Sequence, residues 1–254
     1  MQRSHPGIYD QIGCGYVGRR IPDPRIAARI EVALGDARHV CNVGAGTGSY
    51  EPADRRVVAV EPSPTMIAQR RGGTVVRARA EALPFRGRSF DVALAILTVH
   101  HWEDCRRGLA ELCRVAPRRV VFTFDPARQV DFWLVRDYLP EIQALELARC
   151  QPIETLVDAL GGARIEAVPV PWDCSDGFQA AYWRRPERYL DPAVRASIST
   201  LAMLPKGLVH DAIERLRADL DSGAFWERHG DLRDRTEMDY AYRLLVSEEA
   251  RSVR

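Results

Sequence analysis

Lysine is nearly missing from this chain: Lys206 is the only one, so 35 of the 36 Lys and Arg residues are arginine. We read that bias as the mark of a GC-rich, bacterial genome rather than of phosphate recognition, because 35 acidic residues leave a formal charge of only +1. A chain so balanced has no long-range field to draw in nucleic acid, and no basic arm marks an RNA-binding surface. Also missing is any apolar run near the ~20 residues that a membrane helix needs. The first residues, Met1 to Gly7, lack the apolar stretch of a secretory leader. No membrane partner and a cytoplasmic location are therefore the expectation. The cysteines (Cys14, Cys41, Cys105, Cys113, Cys150 and Cys174) contain no C-x-x-C pair, so reduced thiols are expected rather than a disulfide framework. No ligand cluster has metal-site spacing, and no internal repeat is visible.

What remains is an ordinary globular composition, 46% apolar and 28% charged, over 254 residues. That length suits one large α/β domain with an insertion and is short for two independent enzymes.

The most informative stretch is Val40-Cys41-Asn42-Val43-Gly44-Ala45-Gly46-Thr47-Gly48-Ser49-Tyr50. A short apolar run, read as a strand over His39 to Val43, ends in three glycines at alternate positions. Glycine permits φ > 0 and lets a ligand approach the backbone. A strand followed by such a turn presents free N–H groups at the carboxyl edge of a parallel sheet. Arg56 to Val60 reads as a second buried strand with Glu61 at its end, where nucleotide sites place a carboxylate against a ribose diol.

Four segments follow in order: Asn42 to Ser49, Val60-Glu61-Pro62-Ser63-Pro64-Thr65-Met66, Ala80-Glu81-Ala82-Leu83-Pro84-Phe85, and Ser89-Phe90-Asp91-Val92. Together they resemble the class I S-adenosylmethionine-dependent methyltransferases, most closely the small-molecule branch with an Ala-Glu-x-Leu-Pro-Phe signature. The resemblance covers roughly residues 1–125. It implies a Rossmann-like α/β fold: a seven-stranded, mostly parallel sheet with an antiparallel last strand, helices on both faces, and a helical cap inserted between strands six and seven. It also implies S-adenosyl-L-methionine as cofactor, with S-adenosyl-L-homocysteine as product. The cofactor residues it implies are Asn42, Gly44, Ala45, Gly46, Gly48, Glu61, Pro62, Met66, Ala80, Glu81 and Leu97. A lid carries Tyr16 and Arg19 near the methionine carboxylate, which a guanidinium fork suits. Two positions depart from the family pattern: Arg79 stands where relatives often have Asp, and Asn42 where many have an acid. With Arg79, adenine recognition falls to the Ala80 backbone and Glu81.

We expect a single domain: lid and first helix over 1–34, cofactor-binding core over 35–170, helical substrate cap over 171–236, and last strand and tail over 237–254. Ile26, Ile30, Ala33 and Leu34 give the first helix its apolar face. Strands are expected at Thr74 to Arg77, Phe90 to Val99, Arg119 to Phe124, Arg164 to Val170 and Glu237 to Val246. Helices are expected over Val130 to Leu147, Pro152 to Leu160, Gly177 to Arg184, Pro192 to Leu204 and Leu208 to Leu220. The cap's Trp172, Phe178, Tyr182, Trp183 and Trp226 suit either a pocket for a planar, hydrophobic acceptor or the cap's own core. Arg184, Arg185 and Arg188 could hold an acidic substrate group or form a solvated helix face.

Methyl transfer from a sulfonium is an in-line displacement, so the protein must position the acceptor and exclude water. His100 and His101, at the end of the fourth strand, are the candidates for a general base; a strand-like exit would point them opposite ways. Two other functions share the glycine-and-acid logic: an NAD(P)-dependent oxidoreductase, and a cofactor-binding protein without turnover. The oligomeric state is left open.

Overall fold

A computed structural model describes residues 20–249; Tyr16, Arg19 and Cys14 lie outside the described residues. The first helix, α1 (Pro24–Leu34), starts where Asp23 accepts a hydrogen bond from the Arg25 N–H and Pro24 occupies the first turn. Such a cap satisfies an amide that the helix itself leaves unpaired. Ile26, Ile30, Ala33 and Leu34 are its buried face.

β1 (His39–Val43), β2 (Arg56–Val60), β3 (Thr74–Val76), β4 (Val92–Ile96) and β5 (Arg118–Phe124) form the parallel part of the sheet. Between them run α2 (Pro64–Ala68) and α3 (Cys105–Val115). After β5 come α4 (Glu141–Arg149) and α5 (Ile153–Ala159), then β6 (Arg164–Ala167) and a two-residue strand, β7 (Val170–Pro171). Four helices follow, α6 (Pro192–Ala196), α7 (Ser199–Met203), α8 (Lys206–Ser222) and α9 (Ala224–Arg228), before β8 (Glu237–Met238) and β9 (Tyr242–Glu248). The seven-stranded sheet has the order β3-β2-β1-β4-β5-β9-β6, with β9 antiparallel between β5 and β6. The order reverses between β1 and β4, which puts the ligand crevice at the carboxyl ends of those two strands.

The pleat sorts the central strands onto two faces. Val92, Leu94, Val120 and Phe122 join the larger core with α1 and the helices of the insertion, while Ala93, Ala95 and Val121 join the smaller core with α3 and α5. Both faces are covered, as the uninterrupted apolar sequence of parallel strands requires.

Several boundaries depart from the sequence reading. The fourth strand stops at Ile96 because Leu97 adopts φ +48, and Val99–His101 form a 3-10 turn. Residues expected as one helix over Val130 to Leu147 divide into a 3-10 turn (Pro126–Asp131), a π turn (Leu134–Tyr138) and α4. Gly177 to Arg184 is a run of turns rather than a helix. The expected strands at Arg164 to Val170 and Glu237 to Val246 are each interrupted. Val170–Pro171 pairs with Glu237–Met238 as a separate ribbon that closes the neck of the insertion. The second interruption is at Ala241, with φ +66, whose N–H Asp239 accepts in a local turn.

Asp23 is fully buried, and besides capping α1 it accepts from the Ser175 N–H across the insertion. Burial by itself would raise its pKa, but the Arg25 side chain and the Ser175 and Arg25 amides outweigh it and hold the carboxyl below 3.8. The stability it contributes is therefore complete above 3.8 and is lost as pH falls through the lower folded-state value. Asp23→Ala should lower the unfolding free energy by about 1–3 kcal/mol in urea titrations at neutral pH. The gap between variant and parent should narrow in acid below 3.8.

Candidate functional site

The glycine turn leaves β1 with Gly44, Gly46 and Gly48 at φ +68, +52 and +95. The Gly44 and Ala45 amides both donate to the Val60 carbonyl, at 2.9 and 3.0 Å, which pins the turn to the end of β2. A Cβ on Gly44 would overlap the Thr98 side chain, and one on Gly46 would lie 3.3 Å from Met66 Cε. Left-handed backbone and close approach together restrict these positions to glycine.

Glu61 faces this turn. Its Oε2 accepts the Gly46 N–H at 2.8 Å and its Oε1 the Ser63 N–H at 2.9 Å. Burial pushes its carboxyl above the ordinary range, while the Ser63 and Gly46 amides and the Arg70 charge pull it back. Each carboxylate oxygen has a second lone pair, so the group can still accept from a diol. Pro62 follows it, and Ser63 caps α2 by accepting from the Met66 N–H. Buried Met66 thus stands beside the turn.

Sequence reasoning missed the brace behind the turn. Arg70, nearly buried, pairs with Glu51 at 2.6 Å and donates to the Gly46 carbonyl at 3.2 Å. Asn42 Nδ2 donates to the same Glu51 at 2.9 Å, leaving its buried Oδ1 without a partner. Asn42 therefore supports the brace, which is one use for a neutral side chain at this position. Arg79 pairs with Glu103, and Glu81 accepts the Asp104 N–H at 3.2 Å next to buried Ala80.

Leu97, in its left-handed conformation, donates its N–H to the Phe122 carbonyl at 2.7 Å and turns the chain into the 3-10 segment. The result differs from the opposite orientations expected of a strand: the His100 and His101 rings lie side by side, 4.0 Å between centroids. Both line a cleft that opens to solvent, with Leu97, Phe124, Phe178 and Tyr242. His101 Nδ1 lies 3.2 Å from Arg149 Nη2 and, since arginine only donates, acts as acceptor. His100 Nδ1 is buried without a partner among the described residues. Burial first, then the neighbouring His101, Arg149 and Arg20 charges, hold His100 neutral well below the usual imidazole range; burial, Arg149 and Arg20 do the same to His101.

The rest of the cleft is closed by residues distant in sequence. Arg20 binds the fully buried Asp176 at 2.5 and 3.2 Å, and the Tyr50 hydroxyl donates to the same carboxylate at 3.0 Å. Of the five aromatic residues singled out in the insertion, only Phe178 lines the cleft. Trp183 and Tyr182 are interior packing, Trp172 lies under Arg184, and Trp226 packs between Phe225 and Arg233. Arg184 and Arg185 donate to main-chain carbonyls of Arg235, Cys174 and Ala181, and Arg188 stacks on Tyr182. Cys41, Cys105, Cys113, Cys150 and Cys174 are free thiols, and burial pushes Cys41 up to about 12. No three acidic, His or Cys side chains converge as metal ligands among the described residues.

Gly44→Ala adds both strain and overlap with Thr98, whereas Gly73→Ala, at φ +82 with nothing within 4 Å, adds strain alone. Urea unfolding should show Gly44→Ala losing the ~1–3 kcal/mol of a strained residue and more, with Gly73→Ala losing less. Equal losses would mean that the turn has room for a side chain.

Comparison with known proteins bears on the family and the fold. The methyltransferase domain family matches residues 41–123, from β1 through β5. A crystal structure of a proposed methyltransferase from an antibiotic biosynthesis pathway of Anabaena variabilis superposes with a TM-score of 0.84. It is 32% identical, over 91% of this chain and 99% of that one. The uncharacterized methyltransferase YcgJ of Bacillus subtilis is 30% identical over 131 residues, 46% of this chain and 48% of its own. The chain thus spans about half the length of the curated relatives it matches. Phosphoethanolamine N-methyltransferase 2 of Haemonchus contortus shares the fold, with a TM-score of 0.57 at 12% identity over 99% of this chain and 61% of that one.

Proposed function

Because this chain belongs to the class I S-adenosylmethionine-dependent methyltransferases, we propose that it methylates a small-molecule acceptor held between Leu97, His100, Phe124 and Tyr242. The observation that carries the reading is the buried Glu61 carboxylate hydrogen-bonded to the Gly46 amide at the end of β2. In a nucleotide site that position reads a ribose diol, and it lies beside a turn whose glycines adopt left-handed backbone. A nicotinamide-dependent oxidoreductase shares that logic but not the family membership.

S-adenosylmethionine supplies an electrophilic methyl group on a sulfonium, so the chain itself has three tasks. The glycine turn, Glu61, Pro62 and Met66 hold the nucleoside, joined by Ala80 and Glu81 beyond β3. Tyr16 and Arg19 are assigned to the methionine end by family resemblance. The insertion acts as the substrate cap, a role supported by Phe178, Ser197 and Thr200 lining the same cleft as His100. Its aromatic wall, Phe124, Phe178 and Tyr242, suits a planar acceptor. The near-neutral formal charge favours a small molecule over nucleic acid. A cytoplasmic site of action fits the absence, among the described residues, of a helix long and apolar enough to cross a membrane.

For an acceptor that must lose a proton, His100 is the better base. His101 already uses Nδ1 to accept from Arg149. His100 has Nδ1 shut in, so its Nε2 is the atom available to the cleft, and acting as base requires the Nδ1–H tautomer.

Calorimetric titration with S-adenosylmethionine and S-adenosylhomocysteine tests the cofactor reading. Binding should weaken at least about tenfold in Glu61→Ala, the value of a charged hydrogen bond. As pH is lowered, affinity of the parent should begin to fall while the pH is still above 4.5, since burial raises the Glu61 carboxyl above that value. Folded protein that binds neither compound would overturn the reading. With an acceptor in hand, His100→Ala should reduce kcat by about a hundredfold or more while cofactor affinity holds. The acidic limb of the kcat/KM profile should fall below pH 6.5, because His100 stays neutral below it.

A further inference from the structure

Two glutamines that no part of the above function uses meet in the wall of the cleft. Gln129 belongs to the 3-10 turn after β5, and Gln179 to the turns of the insertion, 50 residues later. Both are more than nine-tenths buried, at 3% and 8% exposure, and both line the cleft. Gln179 Nε2 donates to Gln129 Oε1 at 2.8 Å. That leaves Gln129 Nε2, a donor, and Gln179 Oε1, an acceptor, with no other partner among the described residues. Neither atom is sealed in the interior, and both residues line the cleft. The outcome does not depend on which way the amides are turned. Reversing both still leaves one donor and one acceptor facing the cleft.

The backbone beneath the pair is anchored: the Tyr189 hydroxyl, fully buried, donates to the Gln179 main-chain carbonyl at 2.7 Å, and the Gln129 main-chain carbonyl accepts the Phe132 N–H at 3.1 Å. A free donor and a free acceptor on two largely buried, mutually bonded amides favour a ligand edge that complements both, because any other edge leaves a buried polar group unpaired.

We propose that the Gln129–Gln179 pair is the specificity determinant of the methyl acceptor. It reads an edge carrying a carbonyl next to an N–H or O–H group, as in a lactam or a hydroxy-ketone, on a flat molecule that lies against Phe124, Phe178 and Tyr242. The inference rests on the methyltransferase reading of the cleft and adds to it the functional group that the acceptor must carry.

The test uses the full chain saturated with S-adenosylhomocysteine, titrated with flat fragments that differ only along one edge. Carbostyril, a fused-ring lactam, presents the acceptor and donor together; its O-methyl ether lacks the donor. A quinoline with an amino group beside the ring nitrogen presents, when protonated, donors alone. The parent protein should bind carbostyril at least about tenfold more tightly than either of the others. Gln179→Leu should bring carbostyril and its ether to equal affinity. Gln129→Glu is nearly isosteric and can still accept from Gln179, but it turns two acceptors toward the cleft. It should therefore reverse the order, favouring the aminoquinoline. S-adenosylhomocysteine affinity should be the same in all three proteins. Equal binding of carbostyril and its ether by the parent, no binding of any fragment to the cofactor-loaded parent, or an unchanged ranking in Gln129→Glu would overturn the proposal. Loss of S-adenosylhomocysteine binding by the parent would instead overturn the reading on which it rests.

Discussion

The buried carboxylate of Asp176 holds the walls of the cleft in one arrangement. It lies on the insertion, yet it accepts from Arg20 ahead of α1, from Tyr50 in the loop after the glycine turn, and from the amide of Gly177. A charge with no exposure is tolerated only when donors fill its lone pairs. Here the donors come from three separate stretches of chain, so the carboxylate is satisfied only when all three are in place. Tyr50 extends the link by accepting the Asp23 N–H, which joins the capped start of α1 to the same point. The cleft is therefore a product of long-range polar satisfaction as much as of the sheet beneath it.

The sheet contributes direction. Small Ala93 and Ala95 face α3 and α5, while larger Leu94 and Phe122 face α1 and the insertion. The two faces are thus filled by different means, one by close approach of helices and the other by side-chain bulk. At the carboxyl ends of the strands that order gives way to polar groups whose neighbours fix their protonation or orientation: Glu61, the histidine pair and the glutamine pair. Glu61 is held by main-chain amides, His101 by Arg149 and the two glutamine side chains by each other, so these polar groups are organised before a ligand arrives.

The features legible in the sequence were those encoded locally. The glycine turn, Glu61 and the apolar face of α1 each lie within a short window, where the pattern of residue types reports local structure directly. Where local pattern misled, a single residue broke it. Apolar residues run on past Ile96, but the left-handed Leu97 ends the strand, and nothing in leucine's side chain announces that conformation. Alternation from Glu237 to Val246 conceals the turn at Ala241, although Asp239, a residue that often bonds to backbone two positions on, was a visible sign of it. The contacts of Arg149 with His101, of Gln129 with Gln179 and of Asp176 with Arg20 join residues 48, 50 and 156 positions apart. No periodicity or spacing in one sequence reports such pairs, since they exist only once the topology has brought the strands' ends together.

The position of β9 has a consequence for the order of events during synthesis. Among the described residues β6 pairs only with β9, and β9 fills the gap beside β5. Until residues 242–248 leave the ribosome, the Arg164–Ala167 segment has no neighbour in the sheet, and β5 presents an open edge. The half that carries the glycine turn can pair its strands early, while the other half must wait for β9. Contacts so distant in sequence form slowly, and an unpaired edge in the interval is a site for wrong pairing. The insertion, emerging between β6 and β9, thus appears while the sheet it belongs to is still incomplete.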